Sequence, residues 1–199
     1  MTIVSLIVVS DVEHKMRMLV KKNLLIRLVI SLLVTYVLFR AQWNSASFST
    51  SVSENPHQVW EFVSDLNNAK KLNPSIFDFY ITDHDKGNYD HWEYGAVIYE
   101  TMAFIPVLTN VNYAEFTLKT SPNKDHYKIL STYRTCFFRY ACLHSKSEMT
   151  FSNDAAYGGT KFRELIDYQC PFIFSWLCSR ELTNQRNEWI KRLKNTYQN

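Results

Sequence analysis

Residues 52–66, VSENPHQVWEFVSDL, decide the fold more than any other stretch of this chain. Asn55 is a preferred helix N-cap, Pro56 suits the first helical position, and Gln58 stands three residues after the cap, as in a capping box. Apolar side chains follow at helical spacing, namely Val59, Phe62, Val63 and Leu66. The segment therefore predicts a short amphipathic helix that begins at Pro56.

A strand and a second short helix flank this helix. Residues 47–53 (SFSTSVS) alternate and are rich in Ser, Thr and Val, which predicts a first strand. Residues 68–72 predict one more helical turn, which ends before Asn73 and Pro74 because the residue preceding a proline disfavours the helical region.

Nearly everything from Ile76 onward predicts strands. The predicted strands are 77–82, 92–104, 112–120, 127–136, 140–151 and 160–170. The turn clusters between them include 85–88, 121–124 and 157–159. Long consecutive strands with short turns are typical of an antiparallel sheet. We therefore expect an α+β domain with a strongly curved sheet of six to seven strands.

Opposed residues of an antiparallel pair share a face, so the turns fix the register of the last two hairpins. One turn is centred between Ala156 and Tyr157 and the other on Arg139. They pair Phe151 with Phe162, Met149 with Glu164, Ser147 with Ile166, Ser145 with Tyr168, Tyr133 with Ser145, Ile129 with Met149, and Tyr127 with Phe151. Both select one apolar face: Tyr127, Ile129, Tyr133, Leu143, Met149, Phe151, Phe162, Ile166 and Tyr168. The opposite, solvated face carries Lys128, Arg134, His144, Lys146, Lys161, Arg163, Asp167 and Gln169.

The four cysteines lack the paired spacing of a zinc site, so no metal site is predicted. The register places Cys136 opposite Cys142 on the outer face, within reach of a cross-strand disulfide if the domain folds in an oxidising compartment. Cys142 and Cys170 point to opposite faces and are not expected to bond. As thiols, all four would be small buried hydrophobes.

A long helix is predicted from Pro171 to about Tyr197. Its apolar stripe consists of Trp176, Leu182, Trp189 and Leu193. Cations crowd its end, where they suit the helix dipole: Arg186, Lys191, Arg192 and Lys194. We expect this helix to lie across the concave face of the sheet.

The first 43 residues predict a leader with a hydrophobic segment at about 19–39, long enough to cross a membrane. Its flanking cations are Lys15, Arg17, Lys21 and Lys22 before the segment and Arg40 after it. The positive-inside rule then puts the N-terminus in the cytoplasm and the domain, residues 44–199, in the lumen or outside the cell. A cleaved signal peptide has the same features, in which case the domain is secreted. The chain has no usable N-glycosylation sequon, because Pro74 blocks the one match.

The formal charge is only +3, and much of the basic excess lies in the leader. A nucleic-acid-binding surface is therefore not indicated.

The order of elements and the local motif resemble the helix-grip fold of the START-like (SRPBCC) superfamily, which includes polyketide cyclases and coenzyme-Q-binding proteins. The family motif is a strand, small-x-Pro-x-x-Val-Trp-x-x-x-x-Asp and a later Asn-Pro, and residues 52–66 with 72–74 are similar to it. Leu72 departs from it, because many relatives have Trp there. The resemblance covers residues 47–197 and implies a hydrophobic cavity between the sheet and the last helix, used by relatives for lipids, sterols, isoprenoids or polyketides.

On this resemblance, the residues of the apolar face would line a ligand pocket. The predicted ligand-binding residues are Tyr127, Ile129, Tyr133, Met149, Phe151, Phe162, Glu164, Ile166, Tyr168 and Trp189. Glu164 is the candidate catalytic group, because desolvation on an apolar face favours the protonated form of a carboxyl and fits it for proton transfer. The alternative is that Glu164 reaches the cavity mouth, pairs with a helix cation or hydrogen-bonds a tyrosine. Glu100 and Tyr133 are weaker candidates of the same kind.

Three functions remain open. The first is membrane-tethered binding or transfer of a hydrophobic small molecule, with no cofactor. The second is a cyclase- or dehydratase-like enzyme. The third is a scaffold with a filled core, because the 12 Tyr, 13 Phe and 5 Trp residues look alike in sequence whether they line a cavity or fill one. The sequence decides neither enzyme activity, ligand identity nor oligomeric state.

Overall fold

The structure is a computed structural model that describes residues 3–88, 90–102, 107–123, 125–137, 141–156 and 158–197, without the side chains of 3–20 and 83–86. The chain divides into two compact units. The first consists of the residues up to Arg40 together with Pro171–Ile173, and the second of Ala41–Cys170 and the residues from Phe174 onward.

The first unit is built on one long helix, α1, Ile3–Phe39. Its part Lys21–Phe39 has a mean hydropathy of 1.8 and is long and apolar enough to cross a membrane. The expected apolar helix is therefore present, although α1 begins well before residue 19. A signal sequence near the N-terminus has the same length and composition, so both alternatives stay open.

The second unit contains seven strands and three helices. The strands are β1 Ala41–Val52, β2 Ile76–Asn88, β3 His91–Thr101, β4 Thr109–Thr120, β5 His126–Phe137, β6 Ala141–Asp154 and β7 Gly159–Pro171. The helices are α2 Pro56–Ser64, α3 Leu66–Leu72 and α4 Ser175–Tyr197, the last preceded by a 3-10 turn, Phe172–Phe174. They form an α+β domain with one seven-stranded sheet in the order β1-β7-β6-β5-β4-β3-β2.

Helix α2 starts where the sequence predicts, whereas α3 begins at Leu66, before the predicted turn at 68–72. The Asn55 side-chain oxygen accepts a hydrogen bond from the His57 N–H at 2.9 Å, with Pro56 at the first helical position. Asp65 caps α3 in the same way, accepting from the Asn67 N–H at 2.9 Å. Each cap satisfies a backbone donor that a helix start leaves without a partner.

The predicted register of the last two hairpins is confirmed. Strands β5 and β6 pair Tyr127 with Phe151 and Cys136 with Cys142, and β6 pairs Met149 with Glu164 of β7. The turn predicted at Arg139 lies outside the described residues, as do Lys124 and Tyr157 of two other turn clusters. Because one face is buried, a slip of one residue would have exposed the whole apolar set, so the pattern specifies the register strongly.

Several element boundaries differ from the prediction. Strand β1 begins at Ala41 rather than residue 47, and β2 continues to Asn88 through the turn predicted at 85–88. Gly87 has a φ of 130°, and a Cβ there would lie 2.0 Å from the His91 carbonyl oxygen. The glycine therefore serves a close backbone approach at the end of the β2–β3 hairpin, not a turn before it. Strand β3 ends at Thr101, and residue 104 lies outside the described residues.

The apolar stripe predicted for α4 is only half right. Trp189 and Leu193 are buried, but Trp176 is 65% exposed. At 100° per residue, Trp176 lies about 140° around the helix from Trp189. The stripe instead continues from Trp189 through Gln185 to Glu181, which is buried.

Helix α4 runs back along β7. Cys178 is bonded to Cys170, Arg186 reaches Glu164, and the Trp189 ring lies 5.1 Å from that of Phe162. The inner face of the sheet thus has an apolar end, under the last turns of α4, and a polar end, under its first turns. The apolar end is tightly packed, since Phe151, Phe162 and Leu193 have no exposed surface.

Candidate functional site

Polar side chains from five neighbouring strands converge on α4 at the polar end of the inner face. We call them the polar cluster: Glu100 of β3, Asn112 of β4, Tyr133 of β5, Ser147 of β6, Glu164 of β7 and Arg186 of α4. Direct contacts join Ser147 and Arg186 to Glu164, and Asn112 to Glu100. The charge of Arg186 also acts on Glu100 and Tyr133.

The ion pair between Glu164 and Arg186 is the centre of the cluster. Glu164 Oε1 lies 3.1 Å from Arg186 Nη2 and accepts a hydrogen bond from the Ser147 hydroxyl at 2.7 Å. The Glu164 side chain has no exposed surface, and that of Arg186 is 19% exposed. The structure thus gives Glu164 the helix cation that was one alternative left open by the sequence. Because burial of a charge costs several kcal/mol unless it is paired, each of these two groups depends on the other.

Glu100 lies in a different environment. Its Oε2 accepts from the Asn112 amide at 2.6 Å and its Oε1 from the Asn73 amide at 3.2 Å. Burial raises the pKa of the Glu100 carboxyl above its ordinary value; the hydrogen bond from Asn112 and the charge of Arg186 oppose the shift, whereas Glu181 adds to it. The two glutamates therefore differ in their partners: Glu164 contacts a cation directly, whereas Glu100 contacts two neutral amides.

Tyr133 completes the cluster between the two glutamates. Burial is the largest cause that raises the pKa of its phenol, and the charges of Glu164 and Glu100 add to this, while Arg186 opposes it. The ring packs edge-on against Phe116 at 5.7 Å. The phenol of Tyr133 is thus neutral, and it lies at the border between the apolar and polar ends of the inner face.

Several polar atoms of the cluster are buried without a hydrogen-bond partner among the described residues. They are Glu164 Oε2, Arg186 Nε and Asn112 Oδ1, and the neighbouring Asn110 Oδ1 shares this property. Such atoms are rare in folded proteins and each needs an explanation, such as an ordered water or a ligand. The cluster can therefore offer several acceptors and one cationic donor to a bound polar group.

Apart from Glu164, the predicted ligand-binding residues fall into two groups. Tyr127, Ile129, Met149, Phe151, Phe162, Ile166 and Trp189 are buried, and Tyr133 and Tyr168 are half-buried. Phe151 and Phe162 border no water-sized void, because they have no exposed surface. A pocket at the apolar end would need these rings to move, whereas Tyr133 and Tyr168 already meet solvent at the polar end.

Two open clefts occur in the described part of the second unit, and neither lies between sheet and α4. One, of about 360 Å³, lies beside the start of α2 and includes His57, Asp125 and Tyr127. The other, of about 410 Å³, lies on β2–β6 and includes outward-facing side chains such as Tyr113 and Arg134. The lining of an inner pocket stays a prediction.

The cysteines form two disulfides, Cys136–Cys142 and Cys170–Cys178. The first agrees with the cross-strand pairing that the register allowed. The expectation of buried free thiols is wrong, and the second disulfide was missed. The available signal was that Cys170 lies on the inner face and Cys178 in the first turn of the helix that covers it. No group of three or more potential metal ligands occurs among the described residues.

Two residues of the polar cluster, Arg186 and Asn112, were not predicted from the sequence to belong to a site. Arg186 was grouped with the cations near the helix end. Its spacing of three residues from Trp189 was the signal that it shares the sheet-facing side. Asn112 lies on the same face of β4 as Ala114, Phe116 and Leu118. The alternation along the strand therefore indicated a polar residue among apolar, inward-facing ones.

No protein-family model matches the chain, and no curated protein matches it in sequence. Solved structures do match in fold. The Zhui aromatase/cyclase from a Streptomyces species has a TM-score of 0.51 at 10% identity, over 79% of this chain and 94% of that one. The di-domain ARO/CYC StfQ of the steffimycin biosynthetic pathway has a TM-score of 0.54 at 8% identity, over 78% of this chain and 51% of that one. A conserved protein from Geobacillus kaustophilus has a TM-score of 0.53 at 10% identity, over 77% of this chain and 95% of that one.

These similarities confirm the resemblance to the polyketide-cyclase-like, START-like class at the level of the fold. At such low sequence identity, these similarities do not indicate what chemistry this chain performs. What this chain shares with them is the arrangement of a curved antiparallel sheet and a long C-terminal helix.

Proposed function

We propose that this chain binds or transfers a hydrophobic small molecule that carries a polar group, of the lipid, sterol or isoprenoid class. The site lies in the domain 44–199, between the sheet and α4. The observation that carries the proposal is the polar cluster, in which Glu164 Oε2, Arg186 Nε and Asn112 Oδ1 are buried without partners among the described residues. A pocket with a few convergent polar groups in an apolar surrounding is the usual form of a small-molecule site.

The ligand's polar group would meet the cluster, and its apolar body would lie against the inner face beyond Tyr133. Its contacts there would come from Tyr127, Ile129, Met149, Phe151, Phe162, Ile166, Tyr168 and Trp189. Since Phe151 and Phe162 are closely packed, binding would require α4 to move away from the sheet. The polar end is where such movement starts most readily, because part of Arg186 already meets solvent.

The proposal includes tethering by α1, with the N-terminus in the cytoplasm and the domain in the lumen or outside the cell. Lys21 and Lys22 precede the apolar segment and only Arg40 follows it. The two disulfides support an oxidising compartment for the domain. Cleavage of the leader would give the same domain in secreted form.

Binding is tested with fluorescent sterol and fatty-acid probes on the full chain in detergent. The variant Asn112→Leu removes a polar group of the cluster but leaves the ion pair, and it should weaken binding of the probe whose polar group it contacts. Tyr113→Leu is the matched control, because Tyr113 is the next residue on β4 and is exposed on the outer face. Equal binding by both variants would count against this site, and failure of the unmodified chain to take up any probe would favour a filled core.

A second candidate function is a cyclase- or dehydratase-like reaction. The specific observation is the raised pKa of Glu100, which suits a general acid better than the ion-paired Glu164 does. Some similar folds are named aromatase/cyclases. If the chain is such an enzyme, Glu100→Gln should abolish turnover of a polyketide-like substrate while the substrate still binds, and Glu115→Gln, exposed on the outer face of β4, should leave turnover unchanged.

A further inference from the structure

The segment from the end of β7 to the first turn of α4 carries an unusual group of exposed apolar side chains. Its sequence, residues 170–178, is CPFIFSWLC. The exposed fractions are 53% for Phe172, 40% for Ile173, 42% for Phe174 and 65% for Trp176. Single exposed apolar residues need no explanation, but a contiguous group of this size marks an interaction surface. We call residues 172–176 the aromatic loop.

The loop has a defined conformation rather than a free end. The disulfide Cys170–Cys178 closes it at both sides. Residues 172–174 form a 3-10 turn, and α4 begins at Ser175. A surface held in this way loses little conformational entropy when a partner binds, which favours association.

The first unit connects this loop to the apolar helix. The backbone N–H of Phe172 donates a hydrogen bond of 3.4 Å to the carbonyl oxygen of Arg40, the residue that follows α1. Within this unit, Phe172 and Ile173 therefore belong to the same end of the membrane-crossing candidate, Lys21–Phe39. Trp176 follows Ile173 by three residues, so the chain keeps it within about 11 Å of Ile173.

We propose that the aromatic loop inserts into the interfacial region of a lipid bilayer, beside the point where α1 leaves it. The inference rests on the membrane tether of the proposed function. Tryptophan prefers the headgroup level of membranes, where its ring is buried and its indole N–H stays wet, and phenylalanine and leucine side chains bury beside it on interfacial segments. Residues 170–178 contain no charged residue, and the flanking Arg40 and Arg180 are cations, which suit anionic headgroups.

A bilayer is the partner that fits best, because the end of α1 fixes how far Phe172 lies from the hydrocarbon region. If α1 spans the membrane, Phe39 lies at the edge of the hydrocarbon region. A residue hydrogen-bonded to Arg40 then lies at headgroup depth without any further movement of the chain.

The test uses the full chain reconstituted in phosphatidylcholine vesicles whose lipids are brominated near the top of the acyl chains. Bromine quenches tryptophan fluorescence on contact. Subtracting the emission of Trp176→Phe from that of the unmodified chain gives the emission of Trp176 alone. Subtracting the emission of Trp92→Phe gives that of Trp92 on β3. We expect Trp176 to lose most of its emission and Trp92 to lose little.

Extraction with alkaline carbonate is done on the same vesicles. A chain that stays in the membrane while Trp176 keeps its emission would overturn the aromatic loop as a membrane contact but leave the tether intact. A chain that carbonate releases would refute the tether and this inference together, whereas probe binding by the domain would be unaffected. Quenching of Trp176 in an integral chain supports the inference.

Discussion

Glu164 Oε1 of β7 lies 3.1 Å from Arg186 Nη2 of α4, and the Glu164 side chain has no exposed surface. This ion pair joins the sheet to the C-terminal helix at the point where the inner face changes from apolar to polar. Paired in this way each charge is tolerated, but either one alone would be costly.

Removal of one partner should therefore destabilise the domain more than removal of both. Arg186→Met leaves the Glu164 carboxylate buried and unpaired, and we expect a loss of about 3 to 5 kcal/mol of unfolding free energy. The double variant Glu164→Gln/Arg186→Met should recover much of this loss. Urea unfolding of the unmodified chain, Glu164→Gln, Arg186→Met and the double variant forms a double-mutant cycle that measures the coupling. Additive losses would show that the pair does not interact as described.

Glu100 should make stability depend on pH. Burial raises the pKa of Glu100 in the folded state, so this carboxyl contributes stability below its unfolded pKa and loses that contribution as the pH rises through its folded pKa. Glu100→Gln, which resembles the protonated form, should therefore become increasingly more stable than the unmodified chain as the pH rises. Thermal unfolding across the pH range checks this. The exposed Glu115→Gln serves as the control, and a pH-independent difference for Glu100→Gln would refute the explanation.

The disulfide Cys170–Cys178 should stabilise the domain, because it closes a loop between β7 and α4 and thereby restricts the unfolded chain. Changing both residues to Ser is expected to cost about 2 to 3 kcal/mol on the chain-entropy model. The unmodified chain should show no reactive thiol under non-reducing, denaturing conditions, since both disulfides would be intact. Labelling of any cysteine without prior reduction would contradict the pairing.

Two positions on opposite faces of β7 test the register. Phe162 has no exposed surface and packs against Trp189, so Phe162→Ala should cost about 3 to 5 kcal/mol. Leu165 is 43% exposed on the outer face, and Leu165→Ala should change stability by no more than about 0.5 kcal/mol. Similar losses at both positions would mean that the two faces of β7 are wrongly assigned.

Much of the sheet was predictable because its hairpins are regular. Tyr127, Met149 and Phe162 obey an alternation that one buried face imposes, so the correct register followed from the turns alone. The cap at Asn55 was equally clear, because its interactions are local. Strand ends such as Ala41 and Asn88 were harder to predict, because pairing with a neighbouring strand extends a strand beyond what its own sequence favours.

The polar cluster was harder to predict, because its members are far apart in sequence. Glu164 stood out, as it lies between apolar residues on an established face. Arg186 looked like one of several cations on a solvated helix, and only the helix phase set by Trp189 places it against the sheet. Trp176 shows the reverse error, since its apolar character suggested burial that its phase on α4 does not permit.

Native mass spectrometry of the full chain, released from detergent after expression in a eukaryotic secretory host, tests the binding function most directly. The account predicts a lipid, sterol or isoprenoid bound in stoichiometric amount, and predicts less of it on Asn112→Leu but not on Tyr113→Leu. A chain that carries no such molecule and also fails to take up fluorescent sterol or fatty acid would contradict it, and would favour a filled core between the sheet and α4.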